Sequence, residues 1–199
     1  MDTNVESTFH LKARRRKLNP QKNRELLEEN HSLKKENRKL KSEALIDPLT
    51  GLYNRRALSQ RLAEMGKSGA INGVTILILD VDNFKRFNEQ QGHHQGDEVL
   101  VAVANTLTSS IQATDFVARF GGDEDVILFP NLTDTSDVQK VILRINQALE
   151  ESLDPRGIHV SFGFATMTKD NPNQPQDLLD TLHQADDNLR KMKEYKNLL

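Results

Sequence analysis

The sequence predicts an α/β (α+β) domain: one mixed central sheet wrapped by helices, preceded by a long N-terminal helix. Three observations predict it. The run 74-VTILILD-80 is apolar and stops abruptly on an acid, as a strand covered on both faces does. The segment 158-IHVSFGFATM-167 alternates like a half-buried strand. Between and around these strands, helical spacing alternates with a glycine-centred hairpin. The resulting order is helix–strand–helix–hairpin–helix–strand–helix, which suits one sheet with helices packed on it.

Each element has its own warrant. Residues 1–20 lack apolar periodicity, contain the basic cluster 12-KARRRK-17 and end on Asn19-Pro20, so they read as a flexible basic segment. Over 21–46, Leu26, Leu33 and Leu40 recur at heptad spacing and Ala44 extends the stripe, predicting a coiled-coil helix. Asn23, Asn30 and Asn37 then occupy a positions, where asparagine favours a parallel dimer in fixed register at a cost in stability. A single solvated helix is the alternative. Asp47-Pro48 stops this helix, because a residue before proline is pushed out of the α region, and a domain over 47–199 begins. Leu58, Leu62 and Met65 give 54–69 a helical stripe that closes on glycines. A second helix runs from Gly96 to Ile111 with Val99, Leu100, Val103 and Leu107 on one face. Hairpin strands near 115–120 and 125–130 flank a tip rich in glycine and acid, and helices over 135–151 and 176–195 complete the chain.

Composition narrows the function classes. Charged residues make up 28% and apolar residues 36%, as in a soluble domain with a polar extension. The net charge of −2 conceals an asymmetry: residues 1–46 hold 12 Lys or Arg against 7 Asp or Glu, so the remainder is acidic. With no cysteine, disulfides and thiolate zinc sites are excluded. No stretch approaches the roughly 18 apolar residues of a membrane span, and the N-terminus lacks a signal-peptide core, so the chain reads as cytoplasmic. A basic-zipper DNA binder is disfavoured: the basic cluster is out of phase with the leucines, contains no base-reading asparagine, and Pro20 interrupts the helix. No specific nucleic acid is therefore expected as a partner.

The acids carry the chemistry. Asp80 ends the buried strand, and Asp123 and Glu124 sit at the hairpin tip, so a hairpin lying beside that strand brings them together. Carboxylates around one point, with no histidine or cysteine beside them, suit a hard cation, above all Mg²⁺. Gly121 and Gly122 remove side chains where a phosphate or a flat base could approach the backbone. Lys85 could neutralise a phosphate, while Asn88 and Asp97 are the amide and carboxylate that a guanine edge requires.

Taken together, 47-DPLTGLYNRR-56, 80-DVDNFKRFNEQQGHHQGD-97 and 119-RFGGDE-124 closely resemble the GGDEF-type diguanylate cyclase domain, over about residues 44–199. The resemblance implies a fold related to the polymerase palm and nucleotidyl cyclases. It implies condensation of two GTP into cyclic di-GMP with release of two pyrophosphates, each protomer of a homodimer presenting one GTP. By motif position, Asp80, Asp123 and the Val81 carbonyl resemble ligands of Mg²⁺, or alternatively Mn²⁺. Glu124 resembles the acid that assists the 3′-hydroxyl, directly or through a metal. Asn88 and Asp97 resemble the guanine readers, and Phe84, Lys85 and Lys193 the triphosphate-binding positions. A zipper leading into 47-DPLTGL-52 could orient the two protomers and pass on a signal from an upstream partner.

Three positions depart from the family pattern. Asp125 replaces the signature phenylalanine, and a carboxylate there must reach water or find a partner. This motivates the alternative of a catalytically impaired, nucleotide-binding regulator. Gln112 replaces the arginine of the family's inhibitory product site, though Asp115 remains, so strong product inhibition is not expected. The arginine after Lys193 corresponds to Asn197, with Lys196 as a partial stand-in.

Overall fold

The computed structural model describes residues 21, 22, 24, 25, 27–33, 45–68, 72–168, 177–196 and 198. The basic cluster at 12–17, the heptad positions Asn23, Leu26, Asn37, Leu40 and Ala44, and Asn197 lie outside them. The chain divides into an N-terminal unit, Met1–Ala44, and a compact domain, Leu45–Leu199. In the first, residues 27–33 are helical, and Leu27 and Leu33 are exposed.

The domain carries strands β1 (Tyr53–Asn54), β2 (Gly73–Val81), β3 (Phe116–Arg119), β4 (Glu124–Pro130) and β5 (Val160–Thr168). Its helices are α1 (Arg55–Ser68), α2 (Phe84–Gln91), α3 (His93–Ser110), α4 (Thr135–Leu153) and α5 (Leu178–Lys196). The strands form one sheet in the order β1-β3-β4-β2-β5. It is mixed: β1 pairs with β3 in parallel, and the other neighbours pair antiparallel.

β2 is buried along its whole length because both faces of the sheet are covered. Successive side chains of a strand point to opposite faces, and here they enter two different cores. Leu77, Leu79 and Val81 pack with Val99, Val103 and Leu107 of α3 and with Ile142, Ile145 and Leu149 of α4. Val74, Ile76 and Ile78 pack with Leu58, Leu62 and Met65 of α1 and with Ala185 and Leu189 of α5. β4 splits in the same way, with Ile127 and Phe129 on the first face and Val126 and Leu128 on the second. The apolar run of β2 is the sequence record of this double cover.

α5 lies directly on β5. A Cβ added to Gly163 would meet Leu189 N at 2.1 Å and Ala185 O at 2.3 Å, so only glycine permits this approach. Side chains four apart on the helix then reach backbone groups two apart on the strand. Asn188 Nδ2 donates to Phe164 O at 2.9 Å, the Phe162 N–H faces Met192 Sδ at 3.4 Å, and Lys196 Nζ donates to Val160 O at 2.7 Å. The periods match because four helical residues and two strand residues both advance by roughly 6–7 Å.

Two elements differ from expectation. α2 is a separate helix, and α3 starts at His93 rather than Gly96, the two divided at Gly92 with φ 89°. α2 spans eight residues, and its Phe84 and Phe87 are the part that packs on the core, too short a stripe to stand out in the sequence. β1 is only two residues long, too short to show alternation.

The Gly163→Ala substitution should destabilise the domain by about 1–3 kcal/mol in urea unfolding, because helix backbone must move. Gly122→Ala is the control: nothing lies within 4 Å of its added Cβ, and its stability should stay within about 0.5 kcal/mol of the parent. Equal effects at the two positions would refute the tight α5–β5 contact.

Candidate active site

The antiparallel register of β2 and β4 sets Asp80 directly opposite Glu124, and the Val81 N–H donates to the Asp123 carbonyl at 3.2 Å. The acidic tip is thereby fixed to the end of the central strand. The turn closes on itself: the Phe120 and Gly121 N–H groups donate to the Glu124 carbonyl at 2.8 and 3.3 Å. The Glu124 carboxylate folds back over Gly121, where an added Cβ would stand 2.9 Å from Oε2. Gly122, by contrast, faces open space.

Arg119 braces this turn from below. Its Nε and Nη2 donate to the Gly122 carbonyl at 3.2 and 2.6 Å, and Nη1 donates to Asp47 Oδ1 at 3.1 Å. Asp47 Oδ1 also accepts from the Thr50 amide at 2.9 Å and its hydroxyl at 2.7 Å. Burial opposes the Asp47 charge, but Thr50 and Arg119 outweigh it and hold the carboxyl below its ordinary value. The entry turn at 47–50 and the hairpin tip are thus joined through one guanidinium.

Negative charge is concentrated at the end of β2. Asp80 is only 7% exposed; burial, with Asp123 and Asp82 nearby, raises its pKa against the opposing pull of Lys193. Glu124 is raised by burial and then by Asp80, Asp123 and Asp186. The partner that answers this charge is Lys193 of α5, whose Nζ lies 2.5 Å from Asp80 Oδ1. Asp80, Asp123 and Glu124 present oxygen donors only, and their mutual repulsion favours a cation between them, so the donor set fits a hard divalent ion. Among the described residues, no group of three or more His, Asp or Glu side chains is closed to metal-ligating spacing. The Lys193 ammonium sits on Asp80 instead.

A second cluster lies on the helices after β2. Gly96 is the position against which the Asn88 carboxamide packs; an added Cβ would overlap Asn88 Oδ1 at 1.8 Å. Asp97, the residue after Gly96 on α3, is exposed. Asn88 Oδ1 is buried without a hydrogen-bond partner, an uncommon condition that a ligand donor would relieve. Asn83, the residue before α2, lies in the left-handed region (φ 56°) and its side chain does not cap the helix, whose first N–H groups have no intrahelical acceptor. The Phe84 ring packs on the core, leaving its backbone at this terminus, and Lys85 is exposed.

The three departures have definite settings. Asp125 is 4% exposed, opposite Arg119 on one side and Leu79 on the other, and its Oδ1 has no hydrogen-bond partner. Burial pushes its pKa up to about 7 although Arg119 pulls it down. The expectation that this carboxylate finds water or a partner is met only in part. The hairpin itself keeps full pairing on both sides. In the turn at 112–115, the Gln112 N–H donates to Asp115 Oδ2 at 2.8 Å. Lys196 is held by Asp82 Oδ2 and the Val160 carbonyl, each at 2.7 Å. Sequence reading gave no role to Asp82 or Arg119, and to Asp47 only that of ending a helix; the signal for Arg119 was a cation just before a turn that needs one.

The family model described as "Diguanylate cyclase, GGDEF domain" matches residues 44–197. The diguanylate cyclase DgcP of Pseudomonas aeruginosa is 48% identical over 92 residues, 45% of this chain and 14% of that protein. The probable diguanylate cyclase DgcT of Escherichia coli is 31% identical over 145 residues, 69% of this chain and 32% of that protein. This chain therefore spans less than a third of the length of either relative. Among solved structures, the coiled coil and GGDEF domain of DgcB from Caulobacter crescentus, in complex with c-di-GMP, matches with a TM-score of 0.70 and 26% identity. The match covers 87% of this chain and 93% of that one.

Asp125 generates a pH prediction. Its folded-state pKa near 7 exceeds the unfolded value of 3.8, so its contribution to stability is complete below the lower value and is lost as pH rises through the higher. The Asp125→Asn variant should therefore lose less stability than the parent as pH rises toward 8, with the two converging in acid. Urea midpoints across pH test this, and a gap independent of pH would rule out a buried, proton-holding carboxyl.

Proposed function

The chain belongs to the GGDEF domain family of diguanylate cyclases, and we propose that it joins two GTP into cyclic di-GMP across a homodimer. In each half-reaction a 3′-hydroxyl oxygen bonds to the α-phosphorus of the opposite GTP. The bond from that phosphorus to the β-phosphate oxygen breaks, and pyrophosphate leaves. The observation that carries the reading is the cross-strand pair of Asp80 and Glu124, both with raised pKa and faced by Lys193.

Asp80, the Val81 carbonyl, Asp123 and Glu124 would hold Mg²⁺ or Mn²⁺, which supplies charge neutralisation to the phosphates and lowers the pKa of an attacking hydroxyl. Glu124 would take the hydroxyl proton, directly or through the metal. Lys193 offers its positive charge to the triphosphate, and the open N–H groups of α2 with Lys85 bind phosphate oxygens. Asn88 and Asp97 bind the guanine edge, giving the partnerless Asn88 oxygen a donor. The N-terminal helix, with Leu33 exposed, pairs with a second chain so that two half-sites face each other. A partner upstream acts by shifting that pairing.

A second reading is a nucleotide-binding regulator without turnover, favoured by one observation: the buried, partly unpartnered Asp125 beneath the hairpin.

Incubation of the full chain with GTP and Mg²⁺ at concentrations that favour dimers, followed by chromatography, tests both. Cyclic di-GMP should form, and Glu124→Gln or Asp80→Asn should reduce its rate by roughly 10²-fold or more. Bound GTP with no product would select the regulator.

A further inference from the structure

Lys193 and Lys196 lie one turn apart on α5, and Asp80 and Asp82 are two residues apart at the end of β2. They pair in order: Lys193 with Asp80 at 2.5 Å and Lys196 with Asp82 at 2.7 Å. The second pair is built differently from the first. Asp82 Oδ1 accepts from the Ser161 hydroxyl at 2.6 Å, Oδ2 accepts from Lys196, and the Asp82 N–H donates to His159 O at 2.9 Å. Lys196 also donates to the Val160 carbonyl. Both carboxylate oxygens of Asp82 are therefore occupied, and two of the three ammonium donors of Lys196 are committed to protein acceptors. Among the described residues, the Asp80 carboxylate is paired with the Lys193 ammonium alone, a partner that a cation could replace.

From this we infer that Lys196 is a positioning residue, and that Asp82 belongs to the same clamp and is not a metal ligand. The pair ties the last turn of α5 to both β2 and β5, and so fixes where Lys193 delivers its charge. Lys196 does not stand in for the missing arginine at position 197 as a phosphate contact, because its charge is spent on Asp82. At the C-terminal end of a helix the ammonium is also favoured by the helix dipole, which helps keep it there. The inference rests on the GTP-binding reading above and assigns that site one more residue, acting through Lys193.

The test uses the full chain with Lys196→Ala, Lys196→Arg, Lys193→Ala and the double Lys193→Ala/Lys196→Ala variant. Amide exchange over 190–196, measured without nucleotide, reads the clamp alone; affinity for GTP with Mg²⁺ reads its consequence. Lys196→Ala should speed exchange in that turn and weaken GTP binding by roughly tenfold, about the worth of one charged hydrogen bond. Lys196→Arg should retain most of both properties. In the Lys193→Ala background the further loss from Lys196→Ala should nearly vanish, because the two residues act through one contact. Additive losses would mean that Lys196 touches the phosphates itself, and unchanged exchange would mean that no clamp exists; either overturns the inference. Faster exchange with parental GTP affinity would make the pair structural only and overturn it too. If the parent chain binds no GTP although exchange responds to Lys196→Ala, the functional reading fails and the positioning role falls with it, while the clamp stands.

Discussion

The double cover of β2 is the constraint on which the rest depends. A strand buried on both faces must be apolar along its length, and its partners must supply two separate cores. That rigidity is what makes its end useful. Carboxylates placed there cannot retreat from one another, because Asp80 is fixed by pairing on both sides, to Glu124 of β4 and Ser161 of β5. Burial at that end, and then the neighbouring carboxylates, raises the pKa of Asp80 and of Glu124. Charge that the fold will not disperse has to be met by a cation, and α5 supplies one in Lys193.

How much of this was legible in the sequence follows from which physical signals are local. β2 was legible because burial on both faces leaves an uninterrupted apolar run. The hairpin was legible because glycine and acid mark its tip, and α1, α3, α4 and α5 because each buries a stripe of regular period. α2 was not: it is eight residues long and follows directly on β2, so Phe84 and Phe87 make too short a stripe to register. The site was legible as a set of residue types but not as a set of pairings. Nothing near Asp82 announces that Lys196, far along the chain, will bind it, nor that Asp47 will share Arg119 with the carbonyl of Gly122. Such contacts depend on register and helix docking, which a single sequence does not display.

Asp125 shows how a fold accommodates an awkward side chain. It lies on the face shared by Leu79 and Ile127, where an apolar residue would be at ease. Arg119 stands opposite, yet its donors go to Gly122 and Asp47. The guanidinium therefore acts on Asp125 by charge alone, and burial outweighs that pull, so the carboxyl holds its proton more tightly. Pairing in the hairpin is preserved, and the cost falls on the ionisation of one group.

The row of α5 side chains along β5 has a further consequence. A sheet has two margins, and an open margin is a template on which a strand from another molecule can assemble. At one margin β1 offers only two residues, too few to recruit anything. At the other, β5 is nine residues long, and Asn188, Met192 and Lys196 cover its outward-facing backbone. The helix that carries Lys193 to Asp80 therefore also covers the margin on which a foreign strand could add. A chain that loses α5 would bare the nine-residue margin of β5 and at the same stroke leave Asp80 without the Lys193 ammonium, so one helix ties the protection of the sheet edge to the charge balance at the end of β2.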